Sequence, residues 1–398
     1  MRIAVVNSFF PPRVGGSAHL SNSLAEGFVR AGHEVIVLTA AYQDSPHYEE
    51  RDGLRIYRMP AVMLPRSRFF SVSFDIAFTL RRSVGAQVAK IFDEFAPDVI
   101  HQHGQFFDLT WVTGFWARRA RVPVLLSVHT RLESPSIPYA VAFRLLDKGL
   151  VAPIMRRYRP RFVVMDIQMD RYIRSRYRRG IAGLDVIPVG VHPPSLISGD
   201  ASVVRERHEL GDRPVILSVG HVIPLRNRLT LVESLPAVRE QIGDFRLVVV
   251  GGLYTETFLE RARELKVDDL IVTTGAVPIT EIPNYLAAAT VETHDLQGYG
   301  LGTASLESMG AGVPVIAAVR SDNFPGLDLN SGDNCWLVPV GDPAALANAL
   351  VVALTDGETH SRVSDNGRKL VTEHFAMDAV IERHLDVLGR LAVAGRPR

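Results

Sequence analysis

The chain has 398 residues, 47% hydrophobic and 22% charged, which excludes a disordered chain and at this length suggests two cores rather than one. Its 44 Lys+Arg against 43 Asp+Glu leave no basic field for nucleic acid, and a single cysteine, Cys335, excludes an internal disulfide framework. No apolar run reaches the roughly 18 residues of a membrane span, and MRIAVVNSFFPP lacks the features of a secretory signal, so a cytosolic setting is expected.

In chain order, a short apolar strand, RIAVVN, is followed by a loop, FFPPRVGG, and a helix whose Leu20, Leu24 and Phe28 recur every four residues. Gly32 stops that helix, and GHEVIVLTA is the second strand. The alternation continues through DVIHQH, a helix around residues 111–119, PVLLSVHT, RFVVMDI and DVIPVGV. Apolar strands separated by helices predict a parallel sheet covered on both faces. Prolines and small polar residues loosen the pattern over residues 191–212, which read as a linker region. A second series then runs through PVILSVG, LTLVESLPAVREQI, RLVVVGG, LIVTTGAV, EIPNYLAAA, VPVIAA, CWLVPV and PAALANALVVAL. The predicted architecture is α/β, with two doubly wound Rossmann-like domains whose parallel sheets face across a cleft. The first covers residues 1–190 and the second residues 213–375, while residues 376–398 form a helix expected to return toward the first domain.

Two basic segments stand out. Nine arginines fall between positions 156 and 179, and aromatic residues alternate with arginines over 66–82. Such segments serve as a solvated helix face or as contacts for an anionic membrane or acidic acceptor.

The strand ends hold the candidate site. The first loop has glycines only at Gly15 and Gly16, the second strand ends at Thr39 rather than an acid, and no G-x-x-x-x-G-K-[ST] occurs. Neither a dinucleotide fingerprint nor a P-loop is therefore present. The loop HVIPLRNR carries His221, Arg226 and Arg228 between a strand and a helix, where a guanidinium fork suits a phosphate. In GYGLGTASLESMGAGVPVIAA, Gly298, Gly300 and Gly302 let backbone approach a ligand, and a helix starting near Thr303 points its positive end there. Glu307, about one turn inside, could accept from a ribose diol. Gly310 and Gly312 end that helix. His103 and His129 stand at carboxyl ends of strands, as structural or as site residues. No tight metal-ligand spacing is visible.

These stretches together resemble a GT-B-fold retaining glycosyltransferase of family 4, nearly end to end. PPRVGGSAHLSNSLAEGFVRAGHEVIVLTA, PDVIHQH, VGHVIPLRNRLTLVESL, GYGLGTASLESMGAGVPVIAA and VGDPAALANAL carry the likeness in order. The resemblance implies that Gly15 and Gly16 abut the donor phosphates and that Arg226 stands where a diphosphate-binding lysine usually falls. It makes Glu307 the ribose-binding second glutamate of an E-x7-E motif and sets His103 near the donor sugar. His103, Arg226 and Glu307 are thus the catalytic candidates. His221, Arg228, Gly251, Val277, Tyr299, Leu301, Thr303 and the Gly300–Gly302 backbone form the expected donor site, with His129 on the acceptor side. Three residues depart from the family pattern: Tyr299 for the first motif glutamate, His221 for an arginine and Val189 for an asparagine. Glu292 and Asp295 are candidate replacements for that glutamate. The expected reaction is retaining transfer from a UDP- or GDP-linked sugar, without metal or other cofactor, to a hydroxyl of a sugar or lipid-linked acceptor (a glycan, glycolipid or small molecule), in the cytosol or peripherally at the inner membrane face. A nucleotide-sugar epimerase and a non-catalytic nucleotide-sugar-binding protein are the alternatives.

Overall fold

The computed structural model describes residues 1–13, 15–63, 77–79, 82–133, 137–192, 199–222, 228–293, 296–298 and 300–395. The chain divides into two compact units, Met1–Pro188 with Val380–Arg398, and Val189–Ala379.

The first unit runs β1 (Arg2–Asn7), α1 (Gly16–Arg30), β2 (Glu34–Ala40), β3 (Tyr48–Arg51), β4 (Leu54–Met59), β5 (Val62–Met63), β6 (Ala77–Phe78), α2 (Arg82–Phe95), β7 (Val99–His103) and α3 (Asp108–Ala120). It continues with β8 (Val124–Val128), α4 (Ile137–Leu146), α5 (Ala152–Tyr158), β9 (Arg161–Val164), α6 (Ile167–Tyr177) and β10 (Gly183–Val186). Every residue of β7 and β8 is buried, which requires cover on both sheet faces. The eight-stranded sheet has the order β10-β9-β8-β7-β1-β2-β4-β3, parallel except for the β3–β4 hairpin. Its order reverses at β1, which pairs with β2 on one side and β7 on the other. Leu20, Leu24 and Phe28 are all buried beneath α1.

The second unit holds α7 (Ala201–Arg207), β11 (Val215–Val219), α8 (Leu229–Ile242), β12 (Arg246–Val250), α9 (Thr257–Glu264), β13 (Ile271–Gly275), α10 (Ile282–Ala288) and β14 (Val291–Glu292). It continues with α11 (Thr303–Ala311), β15 (Ile316–Ala317), β16 (Trp336–Leu337), α12 (Pro343–Thr355), α13 (Gly357–His374) and the first turn of α14 (Met377–Gly395). From Val380 on, α14 belongs to the first unit. The parallel sheet runs β13-β12-β11-β14, and a bridge from Glu292 to Val315 leads on to the parallel β15–β16 pair. One face is sealed by a cluster including Leu231, Leu235, Leu346 and Leu350, the other by Val204, Leu210, Tyr285 and Leu286. Val204 and Leu210 come from the stretch read as a linker, so part of that stretch is folded into this unit.

Candidate functional site

In the second unit, β11, β12 and β13 bring Gly220, Gly251 and Gly275 to one edge of the sheet. Gly220 N–H donates to Val250 O at 2.7 Å, and Gly251 N–H to Gly275 O at 2.9 Å. Gly251 has φ 142°, and a Cβ there would stand 2.4 Å from Gly220 O, so only glycine lets the two loops meet. His221 is exposed and accepts Gly252 N–H on Nδ1 at 3.1 Å, which leaves its proton on Nε2, and its ring meets Tyr254 edge-on at 5.5 Å. Val277, half-buried, packs on the core beneath this edge.

Arg228 is 2% exposed and turned inward. Its Nε donates to Ser218 Oγ at 2.9 Å and its Nη2 to Gly220 O at 2.9 Å, while Ser218 Oγ donates to Thr293 O at 2.7 Å. The expected phosphate contact is therefore corrected: a buried guanidinium needs internal acceptors, and Arg228 finds them by bracing the ends of β11 and β14. Arg226, Tyr299 and Asp295 lie outside the described residues.

Gly298 and Gly300 adopt φ of 75° and 110° on the approach to α11. Gly302 is the N-cap, with no side-chain cap and no acid in the first turn, so the positive end of the helix dipole is not offset by a carboxylate of its own first turn. Thr303 is exposed there, while Leu301 is buried in the core beside Leu306 and Phe324. Glu307 lies one turn further in, half-buried, with burial alone raising its carboxyl above the usual range and no hydrogen bond or ion pair among the described residues. A carboxylate held in this way has unused acceptor capacity. Glu292 differs: it is fully buried and accepts from Ser305 Oγ at 3.2 Å, so it is committed to the fold rather than open to a donor sugar.

In the first unit, the register sets Asn7 beside His103 and His103 beside Ser127 at the carboxyl ends of β1, β7 and β8. His103 Nδ1 lies 2.9 Å from His129 Nε2, with the rings stacked at 5.2 Å. His101 Nε2 bonds Ser127 Oγ at 2.8 Å, and its ring stands 4.4 Å from His103 and 5.3 Å from His384 of α14. Burial lowers all four imidazoles, His129 and His384 to about 4, so the cluster is neutral near pH 7. His103 Nε2 is buried and has no hydrogen-bond partner among the described residues. Asn7 Nδ2 donates to Ser17 O at 3.1 Å and Ser21 Oγ at 2.9 Å, and Asn7 Oδ1 accepts Phe9 N–H at 3.1 Å, fastening the β1–α1 loop. Among the described residues a Cβ on Gly15 or Gly16 would meet nothing within 4 Å, and α1 begins with neither a side-chain cap nor an acid.

Comparison with known proteins decides what this architecture is. Residues 15–190 match the family model "Glycosyl transferase 4-like domain", and residues 213–356 match "Glycosyl transferases group 1". The GDP-mannose-dependent alpha-(1-6)-phosphatidylinositol monomannoside mannosyltransferase of Mycolicibacterium smegmatis is 28% identical over 94% of this chain and 93% of its own. The alpha-monoglucosyldiacylglycerol synthase of Streptococcus pneumoniae is 25% identical over 80% of this chain and 71% of its own. The sucrose-phosphate synthase structure from Thermosynechococcus elongatus superimposes with a TM-score of 0.69 at 21% identity, over 99% of each chain.

The chain belongs to the GT-B glycosyltransferases of the family 4 type.

In this glycosyltransferase, His221 and Gly251 meet at the edge of one sheet, and His103 and His129 meet at the edge of the other. Sequence reasoning missed three polar residues there. Asn7 was signalled by being the one polar residue closing the apolar strand RIAVVN. His101 was signalled by alternating with His103, whereas His384 had no local signal, because it reaches the cluster from the far end of the chain. Among the described residues no group of three or more His, Cys, Asp or Glu is arranged to hold a metal ion, and no helix is long and apolar enough to cross a membrane.

Proposed function

We propose that this glycosyltransferase moves a hexose from a nucleotide diphosphate sugar, GDP-mannose foremost, to a hydroxyl of a lipid-linked acceptor, with retention at the anomeric carbon. The observation carrying the donor half is Glu307, partly buried and unpartnered among the described residues, one turn behind a helix N-terminus that has no side-chain cap and no acid in its first turn. That pairing suits a ribose diol beside a diphosphate. The relatives named for GDP-mannose, a phosphatidylinositol mannoside and a diacylglycerol lipid support this choice of donor and acceptor.

In this reading the α11 N-terminus, the Gly300–Gly302 backbone and Arg226 stabilise charge growing on the leaving diphosphate. His221 offers a further donor, Nε2–H, from the loop that follows β11. His103 holds a donor-sugar hydroxyl through its unpaired Nε2, and His129 fixes the His103 ring on the acceptor side. The departing phosphate oxygen takes the acceptor proton on the same face of the sugar, so no protein nucleophile is needed.

Melting the protein with GDP-mannose, UDP-glucose and the free nucleotides tests the donor. A true donor at a hundred times its Kd adds about 2.7 kcal/mol and raises Tm by several degrees. NMR of the product from an α-linked donor should show an α-glycoside. An unmoved Tm with every nucleotide sugar, or a β-linked product, overturns the respective half of the proposal.

A further inference from the structure

Helix α4 departs from the pattern of the first unit. It is ten residues long, IPYAVAFRLL, and none of them is buried. Ile137 is 77% exposed, Val141 52% and Leu145 66%. Their spacing of four residues puts them on one stripe of the helix, spanning an arc of about 80°. Arg144, seven residues after Ile137, rises on the same stripe, and Lys148 follows in the next turn. Both cations are exposed and enter no ion pair among the described residues.

This exposure is built in rather than a frayed end. A π-helical turn, Asp147–Val151, continues α4 and buries Asp147 completely. Asp147 accepts Tyr172 O–H at 2.7 Å and also Tyr177 O–H, and Arg176 Nε lies 3.7 Å away. The Tyr172 hydroxyl also receives Leu132 N–H at 3.4 Å, three residues beyond His129. A buried clasp thus pins one end of the apolar helix and ties it to the segment leaving the acceptor-side histidine.

We propose that α4 is an interfacial helix that docks the first unit on an anionic lipid surface. Ile137, Val141 and Leu145 enter the acyl boundary, and Arg144 and Lys148 pair with headgroup phosphates. An apolar stripe with unpaired cations on it complements a negatively charged bilayer, and complements a polar protein surface poorly. The inference deepens the lipid-acceptor reading and takes its purpose from it, yet vesicle binding is measured without any sugar transfer.

The test is flotation of the full chain with phosphatidylcholine vesicles, with and without phosphatidylglycerol. The wild type should float with the anionic vesicles, less with phosphatidylcholine alone, and less as salt rises. Val141→Glu with Leu145→Glu should lower partitioning about tenfold or more. Arg144→Glu with Lys148→Glu should lower it about fivefold or more per lost cation, and only on anionic vesicles. Both double variants should keep the wild-type Tm and its shift with GDP-mannose, since every altered side chain is solvent-facing. A wild type that ignores anionic vesicles, or a Val141→Glu, Leu145→Glu variant that floats equally well, overturns the inference. So does a chromatographic dimer dissolved by the same variant, which assigns the face to a second copy. Vesicle binding that persists while no nucleotide sugar binds sinks the proposed donor and leaves the lipid surface standing.

Discussion

Glu307 and Glu292 occupy neighbouring segments of the second unit and do different work. Glu292 is sealed in β14 under the Ser305 hydroxyl, while Glu307 sits half-buried with its acceptors unused. Because burial raises the folded pKa of Glu307, its charge opposes folding at neutral pH, and that penalty fades as pH falls through the raised value. Glu307→Gln should therefore leave the unliganded Tm equal or higher while lowering transfer about 10²-fold, a loss of roughly 3 kcal/mol of charge-assisted bonding. Melting curves and initial rates on the same preparation check both halves, and a lower Tm with full activity refutes the assignment. Arg228 should behave in the opposite way. Arg228→Ala strands Ser218 and the Gly220 carbonyl inside the protein, and unfolding in denaturant should show a loss of about 3 kcal/mol. The residue types at these positions could be read from sequence, but their directions could not. Arg226 and Arg228 look equivalent in HVIPLRNR, and only the packing around Ser218 shows that Arg228 points inward.

At the scale of elements, the alternation of strands and helices was legible because parallel strands buried on both faces form short continuous apolar runs. The β3–β4 hairpin went unread, although its turn, Asp52–Gly53, is the usual Asp-Gly type with φ of 51° and 79°. Its strands, YEER and LRIYRM, are too polar to stand out beside VIVL. Helix α13 was also missed, because GETHSRVSDNGRKLVTEH buries only Val363, Gly367 and Val371. Where β11 and β12 end, the backbone itself is the constraint. Gly251→Ala should cost about 1–3 kcal/mol and weaken nucleotide binding together, because the added methyl drives the two loops apart. Thermal melts with and without nucleotide separate this from a purely local strain, which would leave the ligand-induced shift intact.

At the scale of the molecule, the first unit is discontinuous in sequence, and α14 completes it. A Cβ on Gly27 would stand 2.4 Å from Ile381 Cδ1, so α1 and α14 pack without room to spare, and His384 joins the buried histidines. Those imidazoles have folded pKa values below their unfolded ones, so the unfolded state takes up protons first as pH falls. Stability is full above about pH 6.5 and is lost progressively toward pH 4. His384 alone should withdraw about 2 kcal/mol by pH 5. Denaturant unfolding at pH 7 and pH 5 should show this drop, and His384→Gln should shrink it; identical stabilities at the two pH values contradict the reading.

The α/β class was legible in the sequence through apolar periodicity, and the family and the glycosyltransferase activity through the resemblance carried by stretches such as GYGLGTASLESMGAGVPVIAA; both signals are local and survive without coordinates. Tertiary structure decided the inward turn of Arg228, the recruitment of His384 to His101, and the exposure of the α4 stripe. Each depends on what packs against a side chain, and those neighbours come from distant stretches of the chain that no window of sequence contains.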